Sequence, residues 1–343
     1  MTTLTAEATA LHREAIIIDG RDPTHLMYRL TYDEKPVYLD VLREGGVTAP
    51  VVDAVWIEDD FTEAARGLAS WHRRAVASNG RARIALRSED IRAAKAAGLI
   101  AFVLSAQSSA AVEGDFSLVE MLQRMGLRVM QLTYQHRSLA GDGCGEATDG
   151  GLSRFGQDLV REMCRVGIVV DLSHASDRTV LEAAEAATKP VILSHTNARA
   201  LCDTRRNASD AMIRAVAATG GVIGVSAYSD IIVPKGGTTG TTIEQMLSHV
   251  DYLCGLVGED HVAIGLDIGE GRNELEVGIL HARIPGLGAG PKYRYVGELT
   301  SRANLPALTA AMAARGYAPA RIRKVLGLNF LRVFETVWVG AER

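Results

Sequence analysis

The sequence lacks the features that mark several common classes of protein. Its four cysteines show no CxxC spacing, so no disulfide framework is expected. Its 37 basic and 41 acidic residues give a net charge of −4, and this balance predicts no binding to nucleic acid. No apolar run approaches the ~20 residues of a membrane span, and the first residues lack the pattern of a signal peptide. We therefore expect a cytoplasmic protein with no membrane contact.

What the sequence does contain is a regular alternation of two patterns. Short, continuously apolar runs rich in Val and Ile are typical of strands buried on both faces of a parallel sheet. Eight such runs occur, at Ala15–Asp19, Val51–Ile57, Leu99–Ala106, Arg128–Thr133, Ile168–Leu172, Val191–Ser194, Val222–Ala227 and His261–Asp267. Amphipathic helical patterns separate most of them, at Phe61–Ala77, Glu89–Ala97, Leu118–Met125, Phe155–Arg165, Arg178–Ala187, Ala211–Ala218 and Ile243–Leu256.

Eight strand–helix units in 343 residues predict a (β/α)8 barrel. We expect one domain over residues 1–343, with a helical C-terminal end at Arg321–Val337 that packs against the barrel. An open, doubly wound sheet is the alternative fold. The segment Gly269–Tyr295 after the last strand predicts a long loop that serves as a lid or as a wall of the substrate site.

Two neighbouring strands end in the same way, in the sequences Asp171-Leu172-Ser173-His174 and Leu193-Ser194-His195. Functional groups of such barrels come from the carboxyl ends of the strands, so two histidines there can converge on one ion. Imidazole nitrogen and carboxylate oxygen suit zinc, whose open coordination position takes water. The pair therefore predicts a site for metal-assisted hydrolysis.

Polar residues end other predicted strands as well. Asp267 ends the eighth strand and would lie beside Asp22, which follows the first, and paired carboxylates favour proton transfer. In contrast, His249 and Asp251 fall two apart on a predicted helix and so cannot face one site. Cys144 has no assignable base partner, which favours a structural or incidental role over a nucleophilic one.

Several motifs together resemble the membrane (renal-type) dipeptidases, peptidase family M19. They are Gln131-Leu132-Thr133-Tyr134, Gly151-Leu152-Ser153-Arg154-Phe155-Gly156, the two Ser-His strand ends, Arg206-Asn207, Ala263-Ile264-Gly265-Leu266-Asp267 and Leu326-Gly327-Leu328-Asn329-Phe330-Leu331-Arg332-Val333-Phe334. The resemblance covers nearly the whole chain. It implies a metal-dependent amidohydrolase-type barrel, commonly dimeric, with two zinc ions and dipeptide substrates.

The resemblance also implies roles for particular residues. His174 and His195 match the two histidines of one zinc ion, and Asp267 matches the aspartate that handles protons. Arg206 matches the arginine that holds the carboxylate of the substrate, a role that suits its bidentate guanidinium, and Asn207 follows it as in the family.

Four positions depart from the family pattern. Arg21 and Pro23 stand where the family has the His and Asp ligands of the other zinc ion, and Gln107 stands where a glutamate bridges both ions. Tyr134 replaces a histidine that assists at the tetrahedral intermediate, although His136 lies two residues further on. The guanidinium repels a second cation, and the neutral amide lacks the negative charge with which a glutamate offsets the repulsion between two ions. We therefore expect one zinc ion rather than two.

The leading hypothesis is a zinc hydrolase of dipeptides or similar small amides that forms a homodimer. Its metal ligands would come from His174, His195, Gln107 and Asp22; its catalytic residues would be Asp267 with Tyr134 or His136; and Arg206, Asn207 and Arg21 would bind substrate. One alternative is an amidohydrolase, deaminase or lyase that acts on a small amino-acid derivative, where Arg21 would favour an additional acidic group. Another is a metal-poor, non-catalytic binding protein.

Overall fold

Eight parallel strands form the barrel that the sequence predicts. A computed structural model describes residues 5–24, 38–233, 240–271 and 295–338. The barrel strands are β1 (Ile18–Asp22), β2 (Ala49–Val55), β4 (Ile100–Ala106), β5 (Leu127–Gln131), β6 (Val169–Asp171), β7 (Ile192–Thr196), β8 (Val222–Val225) and β9 (Val262–Ile264), in that order around the sheet. A short strand, β3 (Ala82–Ile84), pairs in parallel with the first three residues of β4.

The first and last strands meet through hydrogen bonds just beyond β9. The backbone N–H of Leu266 donates to Oδ1 of Asp19 at 2.8 Å, and that of Asp267 donates to the carbonyl of Arg21 at 3.2 Å. Because all neighbouring strands pair in parallel, their carboxyl ends gather at one end of the barrel.

Helices surround the strands. They are α1 (Ala6–Glu14), α2 (Tyr38–Glu44), α3 (Phe61–Ala77), α4 (Ser88–Ala97), α5 (Ser117–Arg124), α6 (Arg154–Val166), α7 (Asp177–Ala186), α8 (Asp210–Ala218), α9 (Ile243–Val257), α10 (Leu305–Ala314), α11 (Pro319–Arg323) and α12 (Asn329–Val337). Side-chain oxygens of Ser153, Ser176 and Ser209 accept from the first turns of α6, α7 and α8, which satisfies backbone donors that a helix start leaves unpaired. None of the helices in the described ranges is long and apolar enough to cross a membrane.

The first strand differs from the sequence prediction. It runs over Ile18–Asp22 instead of Ala15–Asp19, because the apolar residues before it pack in the core while two charged residues continue the strand. The register against β2 shifts between Asp19 and Asp22, as at a β-bulge. The sequence prediction also missed α1, α2, β3 and α10, and most of the predicted loop Gly269–Tyr295 lies outside the described residues.

The C-terminal helix α12 closes the amino-terminal end of the barrel. One buried cluster joins Phe330 and Phe334 of α12 to residues from all eight barrel strands, such as Ile18 and Val129. Gly20 leaves room for this helix, since a Cβ atom there would lie 2.6 Å from the ring of Phe330. The barrel is therefore filled at this end, and a ligand site is left to the opposite end.

Phe330→Ala should lower the free energy of unfolding by about 3–5 kcal/mol, because it opens a cavity where the ring fills the barrel. Chemical denaturation would measure this change. The control is Thr336→Ala, on the exposed side of the same helix, which should alter stability by no more than about 0.5 kcal/mol. Equal effects of the two variants would show that the ring does not fill the barrel.

Candidate functional site

The candidate site lies at the carboxyl ends of the strands. His174 follows β6, His195 lies within β7, and Asp267 follows β9. His174 and Asp267 have left-handed backbone conformations, with φ of 67° and 58°. Such angles are uncommon for residues other than glycine and often occur at functional sites.

The two histidines meet, as the sequence predicts. Their Nε2 atoms lie 3.0 Å apart, and both side chains are buried. Burial, reinforced by the nearby guanidiniums of Arg206 and Arg21, lowers the pKa of each imidazole well below its usual value. Both rings are therefore neutral at physiological pH, which is the form that binds metal.

Arg21 points into the barrel instead of toward solvent. Its Nη1 lies 2.8 Å from Oδ1 of Asp53 on β2, with both side chains fully buried, and its Nη2 donates to the amide oxygen of Gln131 on β5. Nη1 also lies 3.5 Å from Oγ of Ser105. The Nε atom is buried with no hydrogen-bond partner among the described residues. The guanidinium thus fills the centre of the barrel mouth with its charge balanced by one carboxylate.

Gln107 belongs to the same polar cluster. Its Nε2 donates to Oδ2 of Asp53 at 2.7 Å, which leaves its Oε1 buried and unpartnered within the described part of the chain. Burial raises the pKa of Asp53 to about 6, although Arg21 and Gln107 act in the opposite direction.

Asp22, a predicted metal ligand, lies in a different neighbourhood. Its Oδ2 accepts from the hydroxyl of Tyr38 at 2.6 Å and lies 3.3 Å from Nε of Arg302. The fully buried Arg302 also contacts Asp19 at 2.7 Å and Glu270 at 3.2 Å. Burial raises the pKa of Asp19 to about 6, against the effect of Arg302. This carboxylate cluster ties β1 to the segment after β9.

Tyr134 lies beside the histidine pair, and Asp267 is close enough to act electrostatically on Tyr134. The ring of Tyr134 stacks on His174, with centroids 3.9 Å apart. Burial, and then the negative charge of Asp267, raises the pKa of Tyr134, so its hydroxyl remains protonated. In contrast, the imidazole of His136 is half exposed, and its Nδ1 lies 4.0 Å from Oε1 of Glu146. Of the two residues considered for assistance at the tetrahedral intermediate, Tyr134 is the one with a described contact to the histidine pair.

Arg206 reaches the site from the loop after β7. Its Nη2 donates to the carbonyl of His195 at 2.7 Å, while its Nη1 is buried without a partner among the described residues. Asn207 does not share this position. Its amide nitrogen donates to the carbonyls of Cys202 and Ile231, and its oxygen accepts from Asn197, so it holds the loop that carries Arg206.

His249 and Cys144, for which the sequence favours no catalytic role, both lie in structural surroundings. His249 is buried in α9, where its ring nitrogens bond to the backbone of Ala198 and Ile232. Cys144 is buried, not exposed, and its sulfur lies 3.1 Å from the amide oxygen of Gln135. Burial raises the pKa of this thiol, which disfavours a nucleophilic role.

Sequence reasoning missed several polar residues that lie behind the site. They are Asp53, Ser105, Gln131, Asp171, Ser173, Ser194 and Arg302, all buried. Their signal was available, because a carboxylate such as Asp53 or Asp171 interrupts an otherwise apolar strand. Within the described ranges, no group of three or more His, Cys, Asp or Glu side chains is arranged to hold a metal ion. The candidate ligand set there is the histidine pair.

The chain is similar to proteins of known family. Residues 5–284 match the family described as "Membrane dipeptidase (Peptidase family M19)". A solved amidohydrolase from Pseudomonas aeruginosa is 29% identical, with a TM-score of 0.88 over 96% of this chain and 99% of that chain. An uncharacterized Klebsiella pneumoniae protein from the pqqA 5′ region is 29% identical over 76% of this chain and 91% of its own length. "Dipeptidase tcpJ" of Claviceps purpurea is 28% identical over 75% of this chain, which spans only 56% of that protein.

Arg21→Met should lower the free energy of unfolding by about 3–5 kcal/mol, because it leaves the Asp53 carboxylate buried without a counter-charge. Adding Asp53→Asn to this variant should restore more than half of the loss, and chemical denaturation would measure both. Arg66→Met, which breaks an exposed pair with Glu63, is the control and should leave stability nearly unchanged. A double variant no more stable than Arg21→Met would contradict the pairing argument.

Proposed function

Since the chain belongs to the membrane dipeptidase family, peptidase family M19, we propose that it is a zinc-dependent hydrolase of dipeptides or similar small amides. Metal dependence and hydrolysis are properties of this family of metallopeptidases. The observation that supports the proposal most directly is the contact between Nε2 of His174 and Nε2 of His195 at 3.0 Å. Two nitrogens at this separation are within reach of one zinc ion, whose Zn–N bonds are about 2.0–2.1 Å.

The surroundings of these histidines support a single ion. The guanidinium of Arg21 lies at the centre of the barrel mouth, paired with Asp53, and a second cation would be repelled by it. Gln107 contributes a neutral amide oxygen there, and Asp22 is engaged by Arg302 and Tyr38. We therefore assign the ion to His174 and His195, with the unpartnered Oε1 of Gln107 as a further oxygen candidate and Asp22 as a less favoured one.

The residues around His174 and His195 supply the other groups that amide hydrolysis needs. A bound zinc ion would lower the pKa of a coordinated water and polarise the scissile carbonyl. Asp267 is the group that accepts and then returns the proton. Tyr134, whose hydroxyl stays protonated, donates a hydrogen bond to the oxygen on which negative charge develops. The unpartnered Nη1 of Arg206 binds the carboxylate of the substrate.

The alternative substrate, one with an additional acidic group held by Arg21, has less support. Each Nη atom of Arg21 already has a buried partner, Asp53 or Gln131, so its charge is balanced and fewer of its N–H donors are left for a ligand. A homodimer in the cytoplasm stays a prediction from the sequence and from the family resemblance.

Removal of metal tests the mechanism. Chelator-treated protein should lose dipeptide hydrolysis, regain it with zinc, and contain about one zinc ion per chain by elemental analysis. Full activity without metal would contradict the mechanism, and two tightly bound ions would contradict the assignment of Arg21. His249→Gln is a matched control for the loss of a buried histidine and should not change the zinc content.

Arg206→Met should raise KM for dipeptides about 10- to 100-fold, because a charge-assisted hydrogen bond to the substrate carboxylate is worth about 1.5–3 kcal/mol. Dipeptide amides, which lack this carboxylate, should be affected much less. Steady-state kinetics on matched substrate pairs would measure the difference. Equal losses for acids and amides would assign Arg206 another role.

A further inference from the structure

A chain of buried hydrogen bonds leads from Asp171 on β6 to the imidazole of His195. Oδ2 of Asp171 accepts from Oγ of Ser194 at 2.5 Å, and the same Oγ lies 2.7 Å from Nδ1 of His195. Oδ1 of Asp171 accepts from the backbone N–H groups of Ser173 and Ser194, both at 3.0 Å. All four side chains are at most 1% exposed, so these hydrogen bonds are shielded from bulk water.

The direction of the hydrogen bonds follows from counting hydrogens. Ser194 has one hydroxyl hydrogen, and it goes to Asp171 because a carboxylate can only accept. Oγ of Ser194 must then accept from Nδ1 of His195. The hydroxyl of Ser173 fits the same scheme, since it lies 3.2 Å from Ser194 Oγ as a donor and accepts from the backbone N–H of His195 at 3.2 Å.

His174 has no equivalent support. Its Nδ1 is buried and has no hydrogen-bond partner among the described residues, while its Nε2 faces Nε2 of His195. The two rings therefore differ: Ser194, backed by Asp171, holds the hydrogen of His195 on Nδ1, whereas the hydrogen-bond partner of the His174 ring is Nε2 of His195 itself.

We propose that Asp171 and Ser194 are positioning residues that hold His195 in the Nδ1–H tautomer, with the lone pair of Nε2 directed into the site. Outer hydrogen bonds of this kind typically account for about 10- to 100-fold in metal affinity. The assignment of the ligand role rests on the proposed function, whereas the tautomer itself does not.

Nitrogen-15 NMR of metal-free, histidine-labelled protein tests the tautomer directly. The spectrum of the unmodified chain should show His195 with its hydrogen on Nδ1, the signal being assigned through His195→Gln. Ser194→Ala removes the acceptor and should shift the population toward the Nε2–H form. It should also weaken zinc binding about 10- to 100-fold in competition with a chromophoric chelator.

Asp171→Asn is a second variant with nearly the same shape. The amide oxygen would keep the two backbone donors, so the amide nitrogen would donate to Ser194 and release its hydroxyl hydrogen for Nδ1 of His195. This reversal should likewise favour the Nε2–H tautomer, as replacing the carboxylate by an amide does for the triad histidine of serine proteases. Thermal melting would establish that each variant folds.

Ser173→Ala is the matched control. It removes a neighbouring hydroxyl but keeps the bonds from Asp171 to Ser194 and from Ser194 to His195, so the tautomer should persist. The proposal is overturned if metal-free protein carries the hydrogen on Nε2, or if folded Ser194→Ala and Asp171→Asn variants keep the original tautomer and zinc affinity. An Nδ1–H signal in a protein that hydrolyses no dipeptide would instead overturn only the proposed function.

Discussion

Charges that lie inside this barrel must find partners inside it, and this requirement organises the whole mouth. Arg21 and Asp53 neutralise each other across β1 and β2. Arg302 offsets the carboxylates of Asp19 and Asp22 where β1 meets the end of β9. A buried charge without a partner costs several kcal/mol, and the stretch of β1 that carries both pairs is also the one where its register against β2 shifts, between Asp19 and Asp22. The buried ion pairs around the site thus also help to join β1 to the end of β9, where the barrel closes.

The fold was largely predictable because burial leaves a plain pattern. Every barrel strand is buried on both faces, and all but β1 are short, mainly apolar runs that the sequence reveals within a few residues. The first strand was misplaced because the apolar run continues ahead of it, while Arg21 and Asp22 appeared too polar for a buried strand. Their partners, Asp53 and Arg302, lie 32 and 280 positions away along the chain, and no local pattern indicates such pairings.

The sequence predicts which residues belong to the site better than it predicts how they contact one another. Strand-end histidines predicted the contact between His174 and His195, since parallel neighbours end side by side. Sequence spacing could not show that the amide of Asn207 supports its loop, because one of the carbonyls that it bonds, that of Ile231, comes from another segment. The ring interactions of Tyr134 were equally out of reach, since side-chain direction decides them.

The position of α12 has a consequence for how the chain folds. Phe330 packs under the first strand, although more than 300 residues separate them. Contacts between residues this distant along the chain require closure of a long loop, an entropy cost that slows folding. During synthesis, the amino-terminal end of the barrel stays open until α12 has left the ribosome. Chains truncated before Phe330 would then expose the apolar lining of the interior, a surface prone to aggregation.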